Sequence, residues 1–243
     1  SAPVASPRSS PAIPTWLTPE EWQAVWLTLA VAARSVGFGL PLAVAVAFVL
    51  ARCRFPGRPL LDALVYLPMV LPPVVVGWLL LLTFGVRGPI GAWLQAWFGI
   101  RLVFTTAGAA LACAVMAFPL MVRAVRLSLE TADPGLEQAA RTLGAGRLDR
   151  FCSITLPLAA PGVLVGAIIG YAACLGEFGA VITFAANIPG QTQTLPLAIY
   201  AALQTPNGEA VAARLSLVSV LLAVAGLLLA DQISKRLLAR VGR

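Results

Sequence analysis

Glu177 is the side chain of this 243-residue sequence that most clearly invites chemistry. It lies inside an apolar stretch, in Leu175-Gly176-Glu177-Phe178-Gly179-Ala180. An ionisable group at membrane depth is costly and functional by default. As a carboxylate it repels anions and attracts cations. That leaves coupling to a proton or sodium ion, an ion pair with a basic group such as Arg34, or a hinge or gate flanked by Gly176 and Gly179. A second apolar stretch, from Leu67 to Gly77, carries Pro68, Pro72 and Pro73. Each proline removes a backbone donor and breaks a helical bond, exposing carbonyls that lipid cannot satisfy. Broken helices are tolerated where they face protein or a water-filled path. The hydroxyl of Thr183 and the amide of Asn187 are neutral groups suited to lining such a path.

What is missing narrows the chemistry further. The chain has no histidine, which removes the usual zinc sites and histidine-assisted nucleophiles. Its four cysteines, Cys53, Cys113, Cys152 and Cys174, form no C-x-x-C pair and read as small membrane hydrophobes. No G-x-x-x-x-G-K-[ST] segment exists, so P-loop binding of ATP is excluded. The expectation is a chain with no catalytic residues, no metal and no cofactor of its own.

These groups must be positioned by membrane helices. The sequence is 59% hydrophobic and 11% charged, far from the composition of a soluble domain. Its 17 basic residues are spread between apolar runs, which argues against a nucleic-acid partner despite a pI near 10.1. Five stretches are long enough to cross a bilayer: 25–50, 60–82, 106–122, 160–184 and 211–233. Residues 1–18 read as a proline- and serine-rich disordered tail, 19–238 as one transmembrane domain, and 239–243 as a basic tail. The chain begins with Ser1 rather than Met, so an upstream segment is not excluded. Twelve basic residues follow the first, third and fifth stretches, against Arg8, Arg87 and Arg101 on the opposite side. The positive-inside rule then puts the N-terminus outside and the C-terminus in the cytoplasm. On the outer side, Trp93, Trp97 and Phe98 within 84–105 suit a short interfacial helix. Asn187-Ile188-Pro189-Gly190 and Thr205-Pro206-Asn207-Gly208 read as turns.

The longest cytoplasmic connection is patterned rather than linker-like. Asp133-Pro134 starts a helix, Glu137 sits in its first turn, and Gly144 can end it in a left-handed conformation. A second short helix, from about Arg147 to Thr155, is expected to end at Pro157. The product is a helix–glycine–helix hairpin over 130–157.

Ala139-Ala140-x-x-x-Gly144, followed after nine residues by Ile154-Thr155-Leu156-Pro157, resembles the EAA loop of permease subunits of ATP-binding-cassette importers. With the proline-rich stretch and Gly176-Glu177-Phe178-Gly179-Ala180, the chain from about Leu17 to Leu237 is similar to the permease subunits of molybdate importers. These belong to the wider molybdate, tungstate and sulfate group of type I importers. The resemblance implies an all-α membrane fold with about five transmembrane helices. It also implies an ATPase-coupling site made of Glu137, Gln138, Ala139, Ala140, Gly144, Ile154, Leu156 and Pro157. The family's usual glutamate position holds Gln138, with Glu137 one place earlier. Further implied are a homodimer, a cytoplasmic ATPase that binds ATP and Mg, and an extracytoplasmic molybdate-binding protein. The path or gate would use Pro68, Pro72, Pro73, Gly77, Gly176, Glu177, Gly179, Thr183 and Asn187.

Overall fold

The computed structural model describes residues 16–131, 142, 144, 146, 149, 153 and 155–241. All regular structure among them is helical. The helices are α1 (Pro19–Arg52), α2 (Arg58–Val70), α3 (Pro73–Phe84), α4 (Pro89–Phe98), α5 (Thr106–Thr131), α6 (Leu156–Leu175), α7 (Gly179–Ala185), α8 (Leu195–Leu203) and α9 (Glu209–Val241).

Helix α1 begins where local chemistry dictates. The Thr18 hydroxyl accepts a hydrogen bond from the Glu21 amide at 3.2 Å, and the Glu21 carboxylate accepts one from the Thr18 amide at 2.7 Å. This reciprocal cap satisfies two free donors, and Pro19 tolerates the first turn. At 34 residues the helix is about 51 Å long, well beyond the ~30 Å hydrocarbon core.

The centre of the molecule is α5. Its Ala109, Ala112, Ala117, Met121, Val122 and Val125 are fully enclosed. Small residues let neighbouring backbones approach closely where hydrophobicity gives no drive between helices. Hydrogen bonds fix the register. The Ser35 hydroxyl donates to the Ala110 carbonyl at 2.8 Å, and Arg52 Nη2 donates to the Leu129 carbonyl at 3.2 Å. Helices α1 and α5 therefore run in the same direction. Helix α6 runs opposite to both: Gly162 packs on Ser128, Gly166 on Met121, and the Cys174 thiol donates to the Cys113 carbonyl at 3.6 Å. Cys113 and Cys174 are buried free thiols, as small membrane hydrophobes should be.

Among the described residues, four helices are long and apolar enough to cross a membrane: Pro19–Arg52, Thr106–Thr131, Pro157–Leu175 and Glu209–Gly226. The expected stretch 60–82 is two helices, α2 and α3, bent by 118° at Leu71-Pro72. Asp62 of α2 is paired with Arg126 near the far end of α5, while α3 lies against α7. The prolines thus break the expected stretch into two arms that contact different parts of the bundle. The expected stretch 160–184 is also interrupted, because α6 stops at Leu175 and α7 restarts at Gly179.

Candidate functional site

The two interruptions meet. Gly77 of α3 lies so close to α7 that an added Cβ would stand 2.7 Å from the Ala180 carbonyl oxygen and 2.8 Å from Thr183 Cβ. In turn, a Cβ on Gly179 would stand 2.7 Å from Pro73 Cβ. Contacts this short exist only because both residues lack a side chain. Pro72 and Pro73 are exposed, while Gly179 and Ala180 are buried. The proline-broken segment and the glycine-flanked segment, about a hundred residues apart, thus form one interlocked unit.

Glu177 stabilises the restart of the second broken helix. Its Oε1 accepts a hydrogen bond from the Ala180 amide at 2.9 Å, at the positive end of α7. It does not pair with Arg34. The described ion pairs join Arg126 to Asp62 and Glu130, and Arg214 to Glu21, and Arg34 is an exposed side chain of α1. The expected Arg34–Glu177 pair is corrected on that ground: free amides beside the carboxylate satisfy it locally. Gly176 has open space around its Cα, which suits a hinge.

The neutral groups are engaged rather than free. The Thr183 hydroxyl donates to the Gly179 carbonyl at 2.8 Å, inside α7. Asn187 Nδ2 donates to the Leu197 carbonyl at 3.4 Å, while its Oδ1 is buried without a partner. Gly190, at φ +77°, completes the turn expected at 187–190.

Glu137, Gln138, Ala139, Ala140 and Ile154, in the expected coupling hairpin, lie outside the described residues. Gly144 is exposed, with φ +86°, the left-handed conformation anticipated for the turn. Leu156 is the first residue of α6. Pro157 does not end a helix but sits in the first turn of α6, where its missing N–H costs nothing.

Two charged contacts and one helix were not anticipated. Buried Glu21 meets Arg214 at 2.7 Å, tying the start of α1 to α9. Thr18-x-x-Glu21 was the available signal for the cap, though not for the arginine. Arg126 bridges α2 and α5 through Asp62. Helix α8 occupies part of the segment expected to hold turns, and the Thr28 hydroxyl accepts from the Leu195 amide at 2.7 Å.

Comparisons with known proteins match this architecture. Residues 39–239 match the family described as binding-protein-dependent transport system inner membrane component. The chain is 55% identical over 227 residues to the molybdenum transport system permease protein ModB of Escherichia coli K12, covering 93% of this chain and 99% of that one. It is 52% identical over 223 residues to the Haemophilus influenzae protein of the same name, covering 92% and 97%. The sulfate transport system permease protein CysT of Escherichia coli K12 is 44% identical over 184 residues, covering 76% of this chain and 65% of that one. Among solved structures, a bacterial alginate ABC transporter in complex with its alginate-bound periplasmic protein aligns at TM-score 0.74 and 19% identity, covering 91% and 81%. The inward-facing MetNI methionine ABC transporter aligns at 0.69 and 21%, covering 90% and 98%. Built around two interlocked broken helices and matched along nearly its whole length, the chain belongs to the inner-membrane permease family of binding-protein-dependent transport systems.

Proposed function

We propose that this chain is the membrane-spanning subunit of an ATP-driven importer that carries molybdate across the inner membrane. The observation that carries the reading is the 55% identity along 93% of the chain to a molybdenum transport permease. The chain itself performs no bond chemistry. ATP and Mg are bound by a separate cytoplasmic ATPase, which the hairpin around Gly144 engages through Glu137, Gln138, Ala139, Ala140, Ile154, Leu156 and Pro157. Two copies pair, since about five crossings per chain are too few to enclose a path. An extracytoplasmic binding protein presents the anion. The N-terminus lies outside and the C-terminus inside. Support for this orientation comes from the basic bias of the sequence, and α1 and α5 running together against α6 fits the alternation of crossings that it assumes.

The path runs beside the α3–α7 unit, where Pro68, Pro72, Pro73, Gly77, Gly176, Gly179, Thr183 and Asn187 concentrate. Glu177 holds the α7 end of this gate.

Sulfate is the competing cargo, because CysT shares 44% identity over 184 residues and both ions are tetrahedral dianions. Vesicles containing the permease, its ATPase and its binding protein would be loaded with ATP and offered labelled molybdate. Uptake resisting a large excess of sulfate supports the proposal. Uptake of sulfate in preference to molybdate overturns the choice of cargo.

A further inference from the structure

Arg126 stands between carboxylates on two different elements. Its Nη1 meets Asp62 Oδ1 of α2 at 2.6 Å, and its Nε meets Glu130 Oε1 of α5 at 2.8 Å. A guanidinium with two donor edges in use fixes direction as well as distance. The places it connects matter. Five residues beyond Arg126, α5 ends at Thr131, and the chain passes into the segment leading to Gly144 and α6. Nine residues beyond Asp62 lies Leu71, the elbow between α2 and α3.

Helix α2 is loosely held otherwise. Val65 is its one buried side chain among 13 residues, all of them described. Helix α3, beyond the elbow, is locked to α7 by the Gly77 and Gly179 contacts. A lightly packed arm thus has an ionic grip at its cytoplasmic end and a bend at the other. A force applied at the end of α5 reaches the arm through the grip, since the arm's apolar packing on the core rests mainly on buried Val65 and half-buried Leu61 and Tyr66.

We propose that the Arg126–Asp62 ion pair is a positioning link that carries displacement of the end of α5 into α2, and so to the elbow at Leu71-Pro72. It rests on the importer reading and adds the route by which a cytoplasmic movement reaches the broken helix. Asp62 and Arg126 keep 39% and 21% side-chain exposure, so the pair contributes little to folding and its loss leaves an assembled protein.

The test is the number of anions imported per ATP hydrolysed, in vesicles holding the full complex with ATPase and binding protein. Arg126→Gln and Asp62→Asn are each expected to lower that ratio about tenfold, with hydrolysis kept within about twofold of wild type. Arg126→Lys, which keeps charge but replaces the directional Nη1 contact to Asp62 by a mobile ammonium, should fall between. Glu130→Gln breaks only a bond within α5 and should keep the ratio. Exchanging the charges, Asp62→Arg with Arg126→Glu, should restore most of it. A wild-type ratio in both single variants, or an equal fall with Glu130→Gln, overturns the link. If the wild-type complex imports nothing with ATP, the importer reading itself fails, which is a separate result.

Discussion

Glu21 and Gly77 show how much single positions decide. Glu21 is 6% exposed and serves three partners: the Thr18 amide, the Thr18 hydroxyl through its own amide, and Arg214. Replacing it by glutamine keeps the shape but removes the charge that both the helix N-terminus and Arg214 favour. Hydrogen bonds to charged groups contribute more than neutral ones, so Glu21→Gln should cost about 1–2 kcal/mol. A lower melting temperature of the purified protein reads this out, and the exposed neighbour change Glu20→Gln should leave it unmoved. Gly77→Val adds atoms where an added Cβ already stands 2.7 Å from the Ala180 oxygen. Overpacking of this kind costs about 1–3 kcal/mol. Here the strain should also push α3 from α7, so transport should fall further than stability does, measured as uptake by folded protein against its melting temperature.

At the scale of elements, interruptions are as informative as helices. Three prolines in one apolar stretch made the first break legible in the sequence, because each acts on its own backbone, whereas the paired glycines of 160–184 suggested a hinge or gate within what read as one continuous span. That the breaks pack together was not legible, since Gly77 and Gly179 meet only through tertiary structure. Helix α8 was hidden for the same reason. Its nine residues are too few to read as a span, and the Thr28 hydroxyl that holds its first amide lies 167 positions away. Arg34 was one of the candidate partners of Glu177 and is not met among the described ion pairs, where the carboxylate instead accepts from the Ala180 amide. Gly144 is the opposite case: a single residue whose left-handed conformation was expected and found. A Cβ on Gly144 meets no described neighbour within 4 Å, so the strain expected of Gly144→Val within this chain is conformational. The left-handed geometry costs a side-chain residue about 1–2 kcal/mol. The turn should open, with ATPase association weakened in pull-down and uptake reduced, while Gly144→Asn is milder.

The whole molecule is an apolar bundle interrupted at two breaks, and the importer reading places its energy source on another chain. Helix α5 is the enclosed axis, α1 and α6 flank it, and the two broken crossings lean on one another beside it. The sequence has no P-loop, and under the proposed function movement is supplied by a partner ATPase through the cytoplasmic connection. The measurement that tests this most directly is uptake of labelled molybdate by vesicles carrying the permease, the binding protein and either intact or hydrolysis-deficient ATPase. Accumulation with the intact ATPase and its loss with the deficient one is the predicted result. Equal accumulation with both, sustained by a proton or sodium gradient, would contradict the account and return Glu177 to the role of a coupling carboxylate.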